Sequence, residues 1–382
     1  MSRIDDLIAK LCPNGVEFKR LGDLARIRNG GDYKHLGRGD VPVYGTGGIM
    51  TRVDTAAYSK PSVLIPRKGS LDKLYYVDGP FWTVDTIFYT EIGNELVPKF
   101  FYYFLATQHL EDLNQAGGIP SLTQSVLNEI KIPVPPLQVQ DEIVRALNLF
   151  MMLEAELEAE LKARRQQFAY CMKALMTFAE DGRAKWATLG ELGEFIRGRR
   201  FTKDDYVDSG LGCIHYGQIY TDYGTTATRT ITFLPEEFRN KLRLARPGDL
   251  VIAATGENVE DVCKAVAWLG TDEVAAHDDC FIYRHELDPT YASYLFQSSG
   301  FQEQKVRYVS ESKVVRISGV NMAKIRVQVP PLEDQKRIVE ALNSFDALIN
   351  DPSSGLPAEI AARRTQYEHY RHRLMTFKEL AA

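Results

Sequence analysis

The stretch IKIPVPPLQVQDEIVRALNLF (Ile130–Phe150) returns 195 residues later as IRVQVPPLEDQKRIVEALNSF (Ile325–Phe345). Aligned without gaps, the two agree at 12 of 21 positions, where average composition gives about one. Each copy runs from extended residues through a Pro-Pro-Leu junction into apolar residues at helical spacing. Proline cannot continue a strand or helix interior, but it suits an extended lead into a helix start. The echo goes further. Ala163-Arg-Arg-Gln-Gln through Leu175-Met-Thr-Phe178 returns as Ala362-Arg-Arg-Thr-Gln through Leu374-Met-Thr-Phe377, with 8 of 16 positions identical. Upstream, Leu21-Gly-Asp-Leu24 answers Leu189-Gly-Glu-Leu192. Weaker echoes set Tyr44-Gly45 beside Tyr216-Gly217, and Val84-Asp-Thr-Ile-Phe-Tyr89 beside Asp278-Asp-Cys-Phe-Ile-Tyr283. The chain reads as two tandem copies of a unit of about 190 residues, too long for a solenoid repeat and sized as a duplicated domain.

With 382 residues, 45% hydrophobic and 25% charged, the chain predicts two or three globular domains with their own cores. No apolar run approaches the roughly 20 residues that span a bilayer. The start, MSRIDDLIAKL, mixes charges into its apolar positions and so is no signal peptide. Its Ile4, Leu7, Ile8 and Leu11 read as one face of a short helix. Cys12, Cys171, Cys213, Cys263 and Cys280 are odd in number and scattered without a Cys-x-x-Cys pair. That pattern predicts reduced, buried thiols in a cytoplasmic protein rather than a disulfide framework or zinc site. A net charge of −5 gives no whole-protein basic footprint for nucleic acid, so any such contact has to be local.

Within each copy, short β-rich runs such as SVLIP (62–66), TIFYT (86–90), DLVIAA (249–254) and CFIYR (280–284) are punctuated by turn residues. Helical patches intervene at 98–113 and 289–304, giving an α+β globule. Each copy then ends in a long helix. Ile143, Leu147, Phe150, Leu157, Leu161, Phe168, Cys171 and Leu175 fall on an alternating 4,3 frame in which only Glu154 and Arg164 are polar, the mark of a coiled-coil seam. The second copy keeps the seam with Ile338, Leu342, Phe345, Ile349, Ile360, Tyr367, Tyr370 and Leu374, but DPSSGLP (351–357) should break the helix. Two such seams in one chain most simply pair antiparallel, and Leu147, Phe150, Leu157, Leu161, Leu342, Phe345, Ile360 and Tyr367 are the expected contacts. The predicted layout is a first globule over 1–136, a helix over 137–180, a second globule over 181–331 and an interrupted helix over 332–382.

In its repeated P-P-L-x-x-Q-x-x-I-V-x-A-L helix start, in GGIPSLTQSVLNEIKIPVPPL (117–137) and in VPVYGTGGI (41–49), the chain resembles the specificity (S) subunits of Type I restriction-modification enzymes along essentially its whole length. The resemblance implies two target-recognition domains, each reading one half of a split double-stranded DNA sequence. It implies paired helices that dock methyltransferase subunits, two in number, in an enzyme that also carries ATP-driven restriction subunits. S-adenosylmethionine, ATP and Mg are then expected on those partners, with none bound by this chain. The DPSSGLP break departs from the central helix as a docking surface.

Catalytic residues are not expected. A methyltransferase needs an Asn/Asp-Pro-Pro-Tyr/Phe loop, and the nearest match, Asp288-Pro-Thr-Tyr291, lacks the second proline and reads as a helix N-cap. YGTGG (44–48) has no Gly-Lys-Ser/Thr after it, so it reads as a turn and not as a phosphate loop. His369 and His372 lie among arginines without carboxylate or cysteine partners, which gives no metal site. DNA contacts are expected from basic loops. In the first copy these carry Arg26, Arg28, Lys34 and Arg38, followed by Arg67 and Lys68. In the second they carry Arg197, Arg199, Arg200 and Lys203. Such side chains neutralise phosphates, and arginine also forks onto guanine. Solvated surface loops are the competing reading, but both clusters follow the matching LG(D/E)L segments. Tyr44 with Thr46, and Tyr216 with Gln218, are further candidates. Residues 1–136 hold 15 basic and 15 acidic side chains, so affinity from this domain alone should be modest. The alternatives are a free-standing DNA methyltransferase or nuclease, whose motifs are missing, and a coiled-coil adaptor with two protein-binding heads.

Overall fold

The computed structural model describes residues 2–114, 118–178, 183–310, 314–351 and 353–380. The 180/181 boundary and Pro352 of the predicted interruption lie outside them. The chain forms two compact units, one of residues 1–158 with 360–382 and the other of residues 159–359. The helix Leu137–Leu175 gives its first half to one unit and its second half to the other.

In the first unit, SVLIP is a strand (Ser62–Pro66) whose five residues are all buried. It lies between Ile87–Ile92 and Tyr75–Val77, with Ala25–Asn29 completing a four-stranded antiparallel sheet. The helix Pro98–Leu105 packs Phe100, Phe101 and Leu105 into the same core as Val63, Ile65 and Phe88. A second sheet holds the hairpin Val41–Gly45 and Gly48–Val53, with Trp82–Thr83 beside it. The N-terminal helix Ser2–Leu11 buries Ile4 in the main core, while Leu11 stays exposed.

The second unit repeats the core of this plan. Gly193–Arg197, Cys280–His285, Leu250–Ala253, Ala265–Trp268 and Thr226–Ala227 form its five-stranded sheet. A four-stranded sheet around Leu211–Ile214 has no equal in the first unit among the described residues. The predicted helical patch 289–304 is two helices, Pro289–Gln297 and Ser299–Lys305. They part at Ser298, whose extended backbone and hydroxyl cap the second helix by accepting the Phe301 N–H. In the first unit, the patch 98–113 likewise stops being α-helical at Leu105 and resumes as a 3-10 turn at Leu110–Leu113.

The repeated junction now has a physical explanation. The glutamine of each P-P-L-x-x-Q is buried without exposed surface to speak of, Gln140 at 0% and Gln335 at 3%. Gln140 Oε1 accepts the Val97 N–H at 2.8 Å, and its Nε2 donates to the carbonyls of Glu95 (2.9 Å) and Pro135 (2.8 Å). Gln335 Oε1 accepts the Asp288 N–H at 2.9 Å, and its Nε2 donates to Pro330 at 2.9 Å. Each amide therefore ties the first turn of the long helix to the start of the globule's own helix. Two turns on, Tyr103 and Asn148 in the first unit make the same hydrogen bond as Tyr294 and Asn343 in the second. The ladders Glu17–Arg20 with Lys131–Val134, and Lys185–Thr188 with Arg326–Val329, close each globule below that junction.

The 4,3 frame is written in the burial. Ile143, Leu147 and Phe168 are buried, and every other frame position from Phe150 to Leu175 is at least partly shielded, while the residues between are mostly exposed. In the first unit the final helix, Leu356–Met375, runs antiparallel to the central one. Phe150 stacks on Tyr370 with centroids 5.4 Å apart, and farther along the central helix Glu154 takes Arg364 Nε at 2.6 Å, with Glu158 on the same guanidinium. The polar seam residue Glu154 is thus half of an ion pair. Leu147 and Tyr367 share that unit's core, while Leu157 is partly shielded and Ile360 buried. In the second unit Leu161, Phe168 and Leu175 share a core with Ile338, Leu342, Phe345 and Ile349 of the helix Leu332–Asn350. The helix ends there because Asp351 turns its carboxylate onto Ser353 and Ser354, whose hydrogen bonds lower its pKa to about 2. Gly355 then folds back so closely that a Cβ would stand 2.6 Å from the Ala347 carbonyl oxygen.

Replacing Gln140 with leucine strands one amide and two carbonyls, so the first unit should lose on the order of 2–4 kcal/mol. Gln335→Leu should do the same to the second. Urea midpoints read from Trp82 in the first unit, and from Trp186 and Trp268 in the second, measure this. A loss below about 0.5 kcal/mol in either unit would show that the amide does not hold the junction.

Candidate nucleic-acid interface

The basic loops expected from the sequence are placed alike in both units, and two glycines do the placing. A Cβ on Gly30 would sit 2.0 Å from the Val84 carbonyl oxygen, and one on Gly198 would sit 2.1 Å from that of His277. Only glycine lets the chain lie that close. The next residue then bonds to the strand lead below it, with the Gly31 N–H on Thr83 O at 2.8 Å and the Arg199 N–H on Ala276 O at 3.1 Å. In both units the loop after the first long strand therefore crosses the residues that open the last long strand.

The ladders also correct one weak echo. Ala25 pairs with Ile92 and Gly193 with His285, each just after its LG(D/E)L turn. By ladder position Tyr89 matches Ile282, so the Val84–Tyr89 and Asp278–Tyr283 echo is one residue out of register, which exchanges the two faces of a strand. The true match sets Asp85 against Asp278. Both carbonyls hold an arginine, Arg67 Nη1 to Asp85 O at 3.3 Å and Arg197 Nε to Asp278 O at 2.9 Å. The Tyr44-Gly45 and Tyr216-Gly217 echo is not structural either, since the first ends a strand and the second opens the helix Tyr216–Thr221.

The candidates differ in what they have left to offer. Lys34, Arg38, Lys68, Arg200 and Lys203 are exposed, and no ion pair among the described residues takes up their side chains. Arg26 is exposed on its strand rather than in the loop. Arg28 is half-buried and engaged by Glu91 at 2.9 Å. Arg199 donates to the Lys241 carbonyl at 2.8 Å. Thr46 Oγ1 lies 3.0 and 2.9 Å from the Lys68 and Thr86 carbonyls, and Tyr44 packs against Tyr75 and Phe81. Gln218 is bound at both ends, its Oε1 by the His215 N–H and its Nε2 by Thr232. Tyr216 lies over the His215 ring at 4.5 Å. Burial, then the neighbouring His277, lowers the His215 imidazole to about 4.

Around the second unit's loop lies a cavity of about 830 Å³ lined by Arg197, Arg200, Arg307, Arg316, Asp278 and Asp279, with Phe201 and His277 in its wall. Arg307 and Arg316 were not among the residues expected from the sequence, although Lys305, Arg307, Lys313 and Arg316 fall within twelve residues, because they do not follow an LG(D/E)L segment. Arg316 arrives by pairing with Thr255 across a short ladder. His277, Asp278 and Asp279 are close enough to suggest a cation site, but the imidazole is committed. Its Nδ1 accepts the Asp279 N–H at 3.2 Å and its Nε2 lies 3.1 Å from the Phe201 carbonyl, leaving no lone pair for a metal.

Comparison with known proteins bears on the duplicated fold. A family model described as the Type I restriction modification DNA specificity domain fits residues 13–164 and again 184–362. A Haemophilus influenzae chain assigned as a type I restriction enzyme specificity subunit is 28% identical over 379 residues, covering 95% of this chain and 96% of that one. The EcoR124I/EcoR124II specificity subunit of Escherichia coli is 29% identical over 303 residues, 74% of this chain and 72% of the relative. In fold, the chain is similar to a Type-I restriction-modification S subunit from M. genitalium (TM-score 0.56, 15% identity, 94% and 96% covered). It is likewise similar to a chain from work on complex assembly in the type I R-M system (TM-score 0.59, 16% identity, 95% and 98% covered). With a family model covering both halves of the repeat, this chain belongs to the Type I restriction-modification DNA specificity subunits.

Proposed function

We propose that each unit reads one half of a bipartite double-stranded DNA target through the loop that Gly30 or Gly198 pins to its sheet. The observation that carries this reading is the repetition itself: two copies present unpaired lysines and arginines from the same crossing point. The chain is non-catalytic in this reading. Methyl transfer and cleavage belong to methyltransferase subunits, two per chain, and to restriction subunits, which bring S-adenosylmethionine, ATP and Mg. The assembly works in the cytoplasm, and no described helix is long and apolar enough to cross a membrane.

Docking to partner subunits is supported by the central helix. Leu149, Met151 and Met152 are 56%, 46% and 59% exposed on the first unit's stretch of it. Met151 and Met152 also line a cleft of about 640 Å³ with Tyr75, Tyr76, Tyr102 and Tyr103. Exposed apolar side chains on a surface helix, two of them at the edge of an aromatic cleft, fit a protein-binding face. The adaptor alternative shares this feature but gives no reason for the unpaired cations.

Exchanging residues 183–324 for the matching segment of a relative should change one half of the methylated sequence in the assembled enzyme and leave the other half as it was. A change in both halves would mean that the units read jointly. Lys34→Ala and Lys203→Ala should each weaken binding to all sequences alike and flatten the dependence of log affinity on log salt by about one unit. An unchanged slope would remove that lysine from the phosphate contacts. The chain purified without other subunits should transfer no methyl group from S-adenosylmethionine to DNA, measured with a tritiated donor, and detectable transfer would overturn the non-catalytic assignment.

A further inference from the structure

The arginine-lined cavity of the second unit contains more than a phosphate site needs. The guanidinium groups of Arg200, Arg307 and Arg316 have no ion-pair partner among the described residues. Like charges crowded on one cavity repel each other unless an anion or a set of acceptors comes between them. Two carboxylates line the same cavity without pairing with those arginines, and both are held in place. Asp278 Oδ1 lies 3.1 Å from His277 Nε2, and its carbonyl holds Arg197. Asp279 Oδ1 accepts the Thr255 hydroxyl at 3.1 Å. A groove for the phosphate backbone alone gains nothing from a fixed carboxylate, which repels phosphate. The groups of duplex DNA that do reward one are the exocyclic amino groups in the major groove.

Resting on the DNA-reading role just proposed, we infer that this cavity reads a G·C pair, with Asp278 accepting from cytosine N4 and Arg200 donating to guanine O6 and N7. The pairing of chemistries selects the base pair. A G·C pair offers an amino group on one base and two adjacent acceptors on the other. An A·T pair sets its amino group beside N7 on a single base, which suits an amide side chain better. The geometry selects the residues. Arg200 precedes Phe201, whose ring meets His277 edge-on at 5.0 Å and whose carbonyl lies 3.1 Å from His277 Nε2. Arg200 and Asp278 thus flank one locked ring pair, and reading costs little further ordering at that point. Arg307 and Arg316, which reach the same cavity from a separate segment, take the phosphates. The first unit repeats the aspartate, as Asp85 beside Arg67, but two residues after its crossing glycine, where the second unit has Arg200, it carries Asp32, and Ser121 occupies the ladder position of Arg316. Its half-site is therefore read by other chemistry.

The test uses the chain assembled with its methyltransferase subunits and duplex libraries randomised over the second half-site. Wild type should require G·C at one position that depends on this cavity. Asp278→Asn, close to isosteric, and Arg200→Ala should each relax that position by roughly 10- to 100-fold and leave the others unchanged. Arg307→Ala and Arg316→Ala should weaken all sequences alike and flatten the salt slope. At the same position, replacing guanine with 7-deazaguanine should weaken wild type but leave Arg200→Ala unaffected, a coupling that a misfolded variant would not show. Relaxation at several positions, uniform weakening by Asp278→Asn, or equal sensitivity to 7-deazaguanine in wild type and Arg200→Ala would overturn the inference. If exchanging the whole unit left the second half-site intact, the broader reading would fail instead.

Discussion

A single buried amide governs each half of this molecule. Gln140 and Gln335 sit where a strand ladder, a Pro-Pro turn and a helix start converge, a place crowded with backbone groups that water cannot reach. Leaving such groups unpaired costs about 1–3 kcal/mol each, and proline removes the N–H that might otherwise have served. Glutamine is long enough to reach from the first turn of one helix to the lead of another. It carries the donors and the acceptor that the junction needs. Fixing that joint fixes the helix against its globule, so the seam takes its position from the same constraint.

From this joint the two units diverge in a controlled way. The ladders at 17–20 with 131–134 and at 185–188 with 326–329 are alike, and so are the glycine crossings at Gly30 and Gly198. What changes is the material laid over that frame: a hairpin-bearing three-stranded sheet in one unit, and a four-stranded sheet with the helix Tyr216–Thr221 in the other. A duplicated frame carrying different surface elements lets two targets be read from a shared mechanical base, because the frame is satisfied internally and the overlay is free to vary.

The helices show a similar economy. Their seam is apolar except at Glu154 and Arg164, and Glu154 meets Arg364 on the antiparallel partner helix. Arg164 instead turns to Glu160 and Gln167 on its own helix. An exposed ion pair adds little energy, but a polar residue at a seam position penalises alternative registers, where it would face leucine or phenylalanine.

The sequence by itself determined the duplication, the strands at 62–66 and 280–284, the seam residues from Ile143 to Leu175, and the loops that bear the unpaired cations. These are local or periodic signals, and neighbouring residues in the chain carry them whole. It did not reveal that Gln140 and Gln335 are the reason for the repeated motif, since their partners at Glu95, Val97 and Asp288 lie about 45 residues away. Nor could it show that Arg28, Thr46 and Gln218 spend their polar atoms on Glu91, on backbone carbonyls and on a helix cap. The register of Asp85 against Asp278 was decided by strand pairing, which a six-residue likeness misread by one step. Tertiary structure alone brought Arg307 and Arg316 into one cavity with Asp278, because a cavity is assembled from segments that only the folded sheet holds side by side.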